Sequence, residues 1–157
     1  MPLGRAGTGG RRGRQGSGLP APIVRSRWPR RLASRQSGRV ALTEDEFVRA
    51  LVEAVPEVQP ILDEHLTDND ELLLHSFVAG VRDFAIAAFD NGNRTLSDRI
   101  VAIFERGMRD GDEGVENAVA VSFVEDTPWW DTNRQAFIDS WPTALGAEAE
   151  RQRNWRP

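Results

Sequence analysis

Gly114-Val115-Glu116-Asn117-Ala118-Val119-Ala120-Val121-Ser122-Phe123-Val124-Glu125 is the stretch on which the fold turns. Between Ala118 and Val124 only Ser122 is polar. Projected at about 100° per residue, the apolar side chains cover almost the whole circumference, the pattern of a helix buried on most sides. A strand competes, because Val119, Val121 and Phe123 alternate with the small Ala118, Ala120 and Ser122, and β-branched residues favour extended chain. No other segment reads as a strand, and a lone buried strand would leave its backbone amides and carbonyls unpaired. The stretch is therefore predicted to be the central helix of an all-α domain. Burying Val115, Val119, Val121, Phe123 and Val124 sets an upper bound of roughly 8–15 kcal/mol on what it contributes.

Upstream, Thr43 and Glu46 form a capping box, and Leu42 and Phe47 stand where a hydrophobic staple would close over it. A first helix is predicted over Glu44 to Val55, with Phe47, Ala50, Leu51 and Ala54 inward and Pro56 as its stop. A second follows over Val58 to Leu66, with Val58, Ile61, Leu62 and Leu66 inward. Thr67-Asp68-Asn69-Asp70 reads as a turn and N-cap for a third helix over Glu71 to Asp90, striped by Leu73, Phe77, Val81, Phe84 and Ala88. Gly80 inside that helix costs about 1 kcal/mol against Ala, which suggests a close helix crossing. Asn91-Gly92-Asn93 ends it in the left-handed conformation. Thr95 with Asp98, or Ser97 alone, caps a fourth helix to about Arg109, with Ile100, Val101, Ile103, Phe104 and Met108 inward. Asp110-Gly111-Asp112 then turns the chain, with Asp112 as N-cap of the central helix.

Downstream, Thr127-Pro128-Trp129-Trp130-Asp131 reads as a rigid aromatic corner. A short helix over Thr132 to Ser140 buries Phe137 and Ile138, Trp141-Pro142 breaks it, and Thr143 to about Arg153 forms a last amphipathic helix with Leu145 inward. The expectation is a single bundle of six or seven helices spanning residues 43–157.

Charge divides the 157 residues unevenly. Residues 1–42 hold ten arginines and no acid, whereas the remainder holds ten arginines and all 24 acids, so the net −4 joins a +10 segment to a −14 body. Lys, Cys and Tyr are absent. Exclusive Arg fits a GC-rich genome as well as it fits selection for bidentate hydrogen bonding. Without cysteine there is no disulfide framework, thiolate nucleophile or Cys-ligated zinc, in keeping with a cytoplasmic protein. No run of about 18 apolar residues marks a membrane span, and the basic N-terminus lacks the apolar region of a secretory signal. Residues 1–42, rich in Gly and Arg with prolines at 20, 22 and 29, are expected to be disordered. They read as an inert upstream extension, a nucleic-acid or anionic-surface tether, a transit peptide, or a segment that contacts the acidic body. Trp28 among Arg25, Arg27, Arg30 and Arg31 favours the tether, since an aromatic beside arginines stacks on bases.

A search for chemistry returns little. His65 and His75 are the only imidazoles, and Glu71 with His75, one helical turn apart, lacks the second half of a metal motif. Asp68-Asn69-Asp70 and Asp110-Gly111-Asp112 lack the later ligands of a calcium loop. There is no phosphate-binding Gly-rich loop and no nucleophile-elbow serine. No catalytic residue, cofactor or metal ligand is assigned. What stands out is an acidic arc with aromatics: Asp110, Asp112, Glu113, Glu116, Glu125, Asp126, Trp129, Trp130 and Asp131. Negative potential steers basic partners and tryptophans anchor interfaces; alternatively, the tryptophans close the core and the acids keep the surface solvated.

The run Asp110 to Glu125, Asp-Gly-Asp-Glu-Gly-Val-Glu-Asn-Ala-Val-Ala-Val-Ser-Phe-Val-Glu, together with the text around Leu73 to Phe84, resembles a family of small, largely uncharacterised helical bacterial proteins. Some of its members resemble immunity proteins of polymorphic toxin systems. The resemblance covers about residues 44–150 and leaves the Arg-rich segment outside. It implies an all-helical domain and a binding role, with no catalytic residues to carry over. The expected function is thus non-enzymatic protein binding, with an acidic surface covering a basic site on a toxin. The alternatives are a nucleic-acid-associated regulator acting through residues 1–42 or a structural interaction domain.

Overall fold

A computed structural model describes residues 40–155; the tail expected to be disordered lies, through residue 39, outside the described residues. Order begins at the predicted cap. The Thr43 hydroxyl accepts the Glu46 N–H, while the Glu46 carboxylate accepts the Thr43 N–H at 2.9 Å and its hydroxyl at 3.0 Å. Those donations hold the Glu46 carboxyl below its ordinary value, so the cap is intact at neutral pH and is lost as the pH falls through that lowered pKa. Leu42, just before it, is buried, and its N–H and carbonyl bond Asp110 O and Asp112 N at 2.8 and 2.9 Å, tying the start of the domain to its centre.

Among the described residues the architecture is all-helical. Helix α1 (Glu44–Ala54) leads through a 3-10 turn (Pro56–Val58) into α2 (Gln59–Asn69), followed by α3 (Leu74–Asp90) and α4 (Arg94–Asp110). The central helix starts as α5 (Glu113–Ala118) and continues without a break as a π-helix (Val119–Glu125). A 3-10 turn (Thr132–Arg134), α6 (Gln135–Asp139) and α7 (Thr143–Asn154) complete the domain. The central stretch is therefore helical and packs against α1, α3, α4 and α7. Its second half is wound more loosely than a 100° projection assumes. With more residues per turn, three successive side chains, Ser122, Phe123 and Val124, are all buried, whereas Val121 is half-buried.

Several local expectations are corrected. In α1, Val48 is buried while Ala54 is exposed. Helix α2 has no buried residue, and Leu66 faces solvent. Thr67, Asp68 and Asn69 belong to α2, Asp70 adopts the left-handed conformation at φ 59°, and α3 starts only at Leu74, leaving Leu73 exposed. The α2–α3 loop is held by His65, whose Nε2 accepts the Leu73 N–H at 3.0 Å. Gly92 is left-handed as expected (φ 79°), but the cap of α4 is Asn93, which accepts Leu96 N–H, rather than Thr95 or Ser97. Asp112 caps the central helix through Val115 N–H at 2.9 Å.

Side chains of α4 also finish two other helices. Arg99 donates to Ala54 O at the open end of α1, with Nη2 at 2.6 Å, and Glu105 accepts the Ala144 and Leu145 N–H groups at 2.9 and 3.0 Å, capping α7, which has no cap of its own. A carboxylate at a helix N-terminus both pairs orphan donors and complements the dipole.

The core is an aromatic chain. Phe47 meets Phe104 edge-on at 5.7 Å, Phe104 stacks on Phe123 at 4.3 Å, Phe123 abuts Trp141 at 5.3 Å, and Phe137 bridges Trp141 and Phe89 at 5.6 and 5.2 Å. α1, α3, α4, the central helix and α6 each contribute a ring, and Trp141 supplies the link before α7.

Glycines decide how closely the helices approach. A Cβ on Gly80 would lie 3.5 Å from Ile61 Cγ2, an ordinary contact, so the crossing of α2 and α3 does not need glycine. At Gly107 a Cβ would lie 2.7 Å from Cε2 of the fully buried Phe47 and 3.3 Å from Val115. Gly80→Ala is expected to stabilise by about 0.5–1 kcal/mol through helix propensity. Gly107→Ala is expected to destabilise by about 1–3 kcal/mol through overpacking. Urea midpoints moving in opposite directions would confirm both; midpoints moving the same way would misplace the α1–α4 contact.

Candidate functional site

The loop after the central helix is built to hold its tryptophans outward. Thr127 is buried and its hydroxyl donates to Phe123 O at 2.6 Å, while Trp129 N–H bonds Thr127 O at 2.7 Å and Asp131 N–H bonds Pro128 O at 3.0 Å. Asp131 then caps the following 3-10 turn through Asn133 N–H. Arg134 pins that turn to α3 with two bonds to Asp90 at 2.7 and 2.8 Å, which hold its guanidinium pKa further above the ordinary value. On this frame Trp129 and Trp130 pack edge to face at 5.8 Å and remain 50% and 69% exposed. Trp141, at 8%, is the tryptophan that closes the core.

The acids of the arc are not gathered into one surface. Asp110, Asp112 and Glu113 stand at the start of the central helix and Glu125 and Asp126 at its end, roughly 20 Å away at about 1.5 Å per residue. Several also have internal duties. Asp110 pairs with Arg109 at 2.7 Å, Asp112 is a cap, Glu116 lies close enough to Arg151 to raise its pKa, and Asp126 stands 3.5 Å from Arg82. The structure brings together Glu125, Asp126, Trp129, Trp130 and Asp131 at one end of the domain, and leaves the other acids apart from them.

The largest share of the net negative charge lies elsewhere. Residues 44–71 hold ten acids against Arg49 alone, net −9 of the body's −14, and they form α1, α2 and the loop that follows. Between these helices runs an open groove of about 360 Å³, lined by Asp45, Val48, Arg49, Val52, Glu53, Gln59 and Leu62. A count of acids along the chain would have found the charge; the groove depends on a tertiary contact that no local pattern encodes.

The two histidines have structural partners. Glu71 precedes α3, so Glu71 and His75 do not share a helix as expected. His75 Nδ1 lies 2.9 Å from Ser122 Oγ, and its Nε2 lies 3.3 Å from Asn117 Nδ2. Arg82 holds the Ser122 carbonyl at 3.0 Å. This hydroxyl–imidazole–amide row bridges α3 to the π-helix. Ser122 is buried, and it lines neither the α1–α2 groove nor the small cavity beside Trp129 and Trp141, so the row braces the loosened winding. Among the described residues no cluster of three or more His, Asp or Glu side chains is placed to hold a metal ion, and no helix is long and apolar enough to cross a membrane.

Against known proteins, the family model described as "Domain of unknown function (DUF7674)" matches residues 48–156. No curated protein and no solved structure matches the chain. The chain belongs to the DUF7674 family.

Proposed function

We propose that this DUF7674 member is a non-enzymatic protein-binding domain that acts in the cytoplasm in the manner of an immunity protein, covering a basic site on a toxin. The observation that carries the reading is the Trp129–Trp130 pair, held 50% and 69% exposed by a braced loop and bordered by Glu125, Asp126 and Asp131. Exposed large aromatics set on a rigid frame lose little entropy on binding, and rings ringed by acids select a basic counter-surface.

Coexpression with toxins encoded beside its gene tests the reading. A toxin should be neutralised and should copurify with the protein, and Trp129→Ala with Trp130→Ala should weaken that complex by about thirtyfold or more, the size of an interface hot spot. The same double substitution should leave the melting temperature nearly unchanged. Rescue from no neighbouring toxin, together with no captured partner, would end the proposal.

A further inference from the structure

We propose that the groove between α1 and α2 is a second docking site, one that receives an amphipathic helix with a basic polar face from a partner protein. Val48 and Val52, one turn apart on α1, and Leu62 on α2 supply its apolar lining. Leu66, one turn beyond Leu62 and so on the same face of α2, is 40% exposed. A slot between two helices with apolar residues at helical spacing suits a third helix, which places its own side chains at i, i+3, i+4 and i+7 along it.

Charge selects the occupant. Asp45 and Glu53 stand on the α1 side of the groove with Arg49, the only cation among residues 44–71, one turn from each, so the lining is net −1 inside a segment of net −9. Asp45 and Glu53 are the carboxylates that line the slot itself, while Glu57 is engaged by Arg99 and Asp63 by Gln59. An acidic rim disfavours nucleic acid and anionic lipid and favours Arg or Lys flanking an apolar stripe. Helix α2 packs Ile61 and Leu62 half-buried against the core and buries no residue fully, which leaves Leu66 for a guest to cover. This surface is distinct from the Trp129–Trp130 corner and does not rest on the function proposed for it.

The test is fluorescence anisotropy of labelled peptides of about 16 residues against the full chain at about 0.15 M salt. One is a Leu/Lys peptide with leucines at helical spacing, the second its scrambled isomer of equal charge, and the third the same helix with Glu for Lys. The amphipathic basic peptide should bind at least about tenfold more tightly than its scrambled isomer, and the acidic version should not bind. Leu62→Asp removes apolar lining while adding negative charge, so it should weaken the amphipathic peptide about tenfold without weakening the scrambled one. Leu66→Asp, at an exposed position, should act in the same direction with no risk to folding. Trp129→Ala with Trp130→Ala should leave peptide binding unchanged.

Equal binding of the two basic peptides, or tighter amphipathic binding by Leu62→Asp, would reduce the attraction to bare charge and overturn the proposal. Loss of peptide binding in the tryptophan variant would move the site to the corner. Self-association abolished by Leu62→Asp would assign the groove to a second copy of the chain. Either result overturns the proposal as well.

Discussion

Phe123→Ala is expected to cost about 3–5 kcal/mol, the largest loss from any single truncation in the domain, and to lower the melting temperature by roughly 10 °C or more. Phe123 is fully buried at the junction of the aromatic chain, stacked on Phe104 at 4.3 Å with an interplanar angle of 19° and set against Trp141 at 5.3 Å and Phe137 at 6.4 Å. Its removal forfeits apolar burial and leaves a void that four helices cannot easily close. Read from sequence alone, Phe137 sits on a short peripheral helix and should matter much less. The structure places Phe137 at 0% exposure between Phe89 and Trp141, so Phe137→Ala is expected within about 1 kcal/mol of Phe123→Ala. A loss below about 1 kcal/mol for Phe123→Ala in urea denaturation would remove the central helix from the centre.

The fold class was legible because the strongest signals are local. The capping box at Thr43 and Glu46, the left-handed Gly92 and the Asp112 cap are each set by residues within one turn, and all three stand as predicted. What misled was supplied by distant groups. Helix α3 starts at Leu74 rather than Glu71, and the loop before it is held by a ring nitrogen of His65, eight residues upstream of Leu73. Helix α7 begins without its own cap because Glu105 of α4 provides one. The π-winding from Val119 to Glu125 is not encoded in an apolar pattern read at a fixed angular step. Gly80 is a glycine inside a helix with room for a Cβ, whereas the glycines under steric compulsion are Gly107, beneath Phe47, and Gly111, against Gly107 O and Val115.

The candidate sites were legible only in part, for a related reason. The arc from Asp110 to Asp131 is continuous along the chain, but the intervening central helix separates its two ends. Three tryptophans close in sequence look alike on paper. Thr127, anchored to Phe123 O, holds the first two in a loop outside the core, while Trp141 falls inside it. The net −9 of residues 44–71 is present in the sequence, but which of those acids border a groove depends on how α1 and α2 pack.

Arg151→Ala is the second large expected effect, and it concerns a charged residue near the end of the last helix. Glu148 on α7 is 2% exposed, and Arg151 bonds both of its carboxylate oxygens, Nε to Oε2 at 2.7 Å and Nη2 to Oε1. Gln152 donates to the same Oε1 at 2.9 Å and to Ala120 O at 2.9 Å, so the cluster ties α7 to the start of the π-helix. Those bonds to Glu148 hold the Arg151 guanidinium further above its ordinary pKa, with the nearby Glu116 adding to the effect. Removing Arg151 strands a buried carboxylate on a single amide donor. Breaking a buried pair from one side costs about 3–5 kcal/mol, and the 34% exposure of the Arg151 side chain reduces the expectation to about 2–3 kcal/mol. Glu148→Gln should cost only about 1 kcal/mol, because the charge it leaves behind can reach water and Glu116. Replacing both residues, Glu148→Leu with Arg151→Met, should come within about 1 kcal/mol of the parent, since apolar side chains of similar volume commonly match a buried pair. Urea denaturation of the three variants checks the ordering. Equal losses for Arg151→Ala and Glu148→Gln would mean that water already reaches Glu148 and that the pair adds nothing to the packing of α7 on the π-helix.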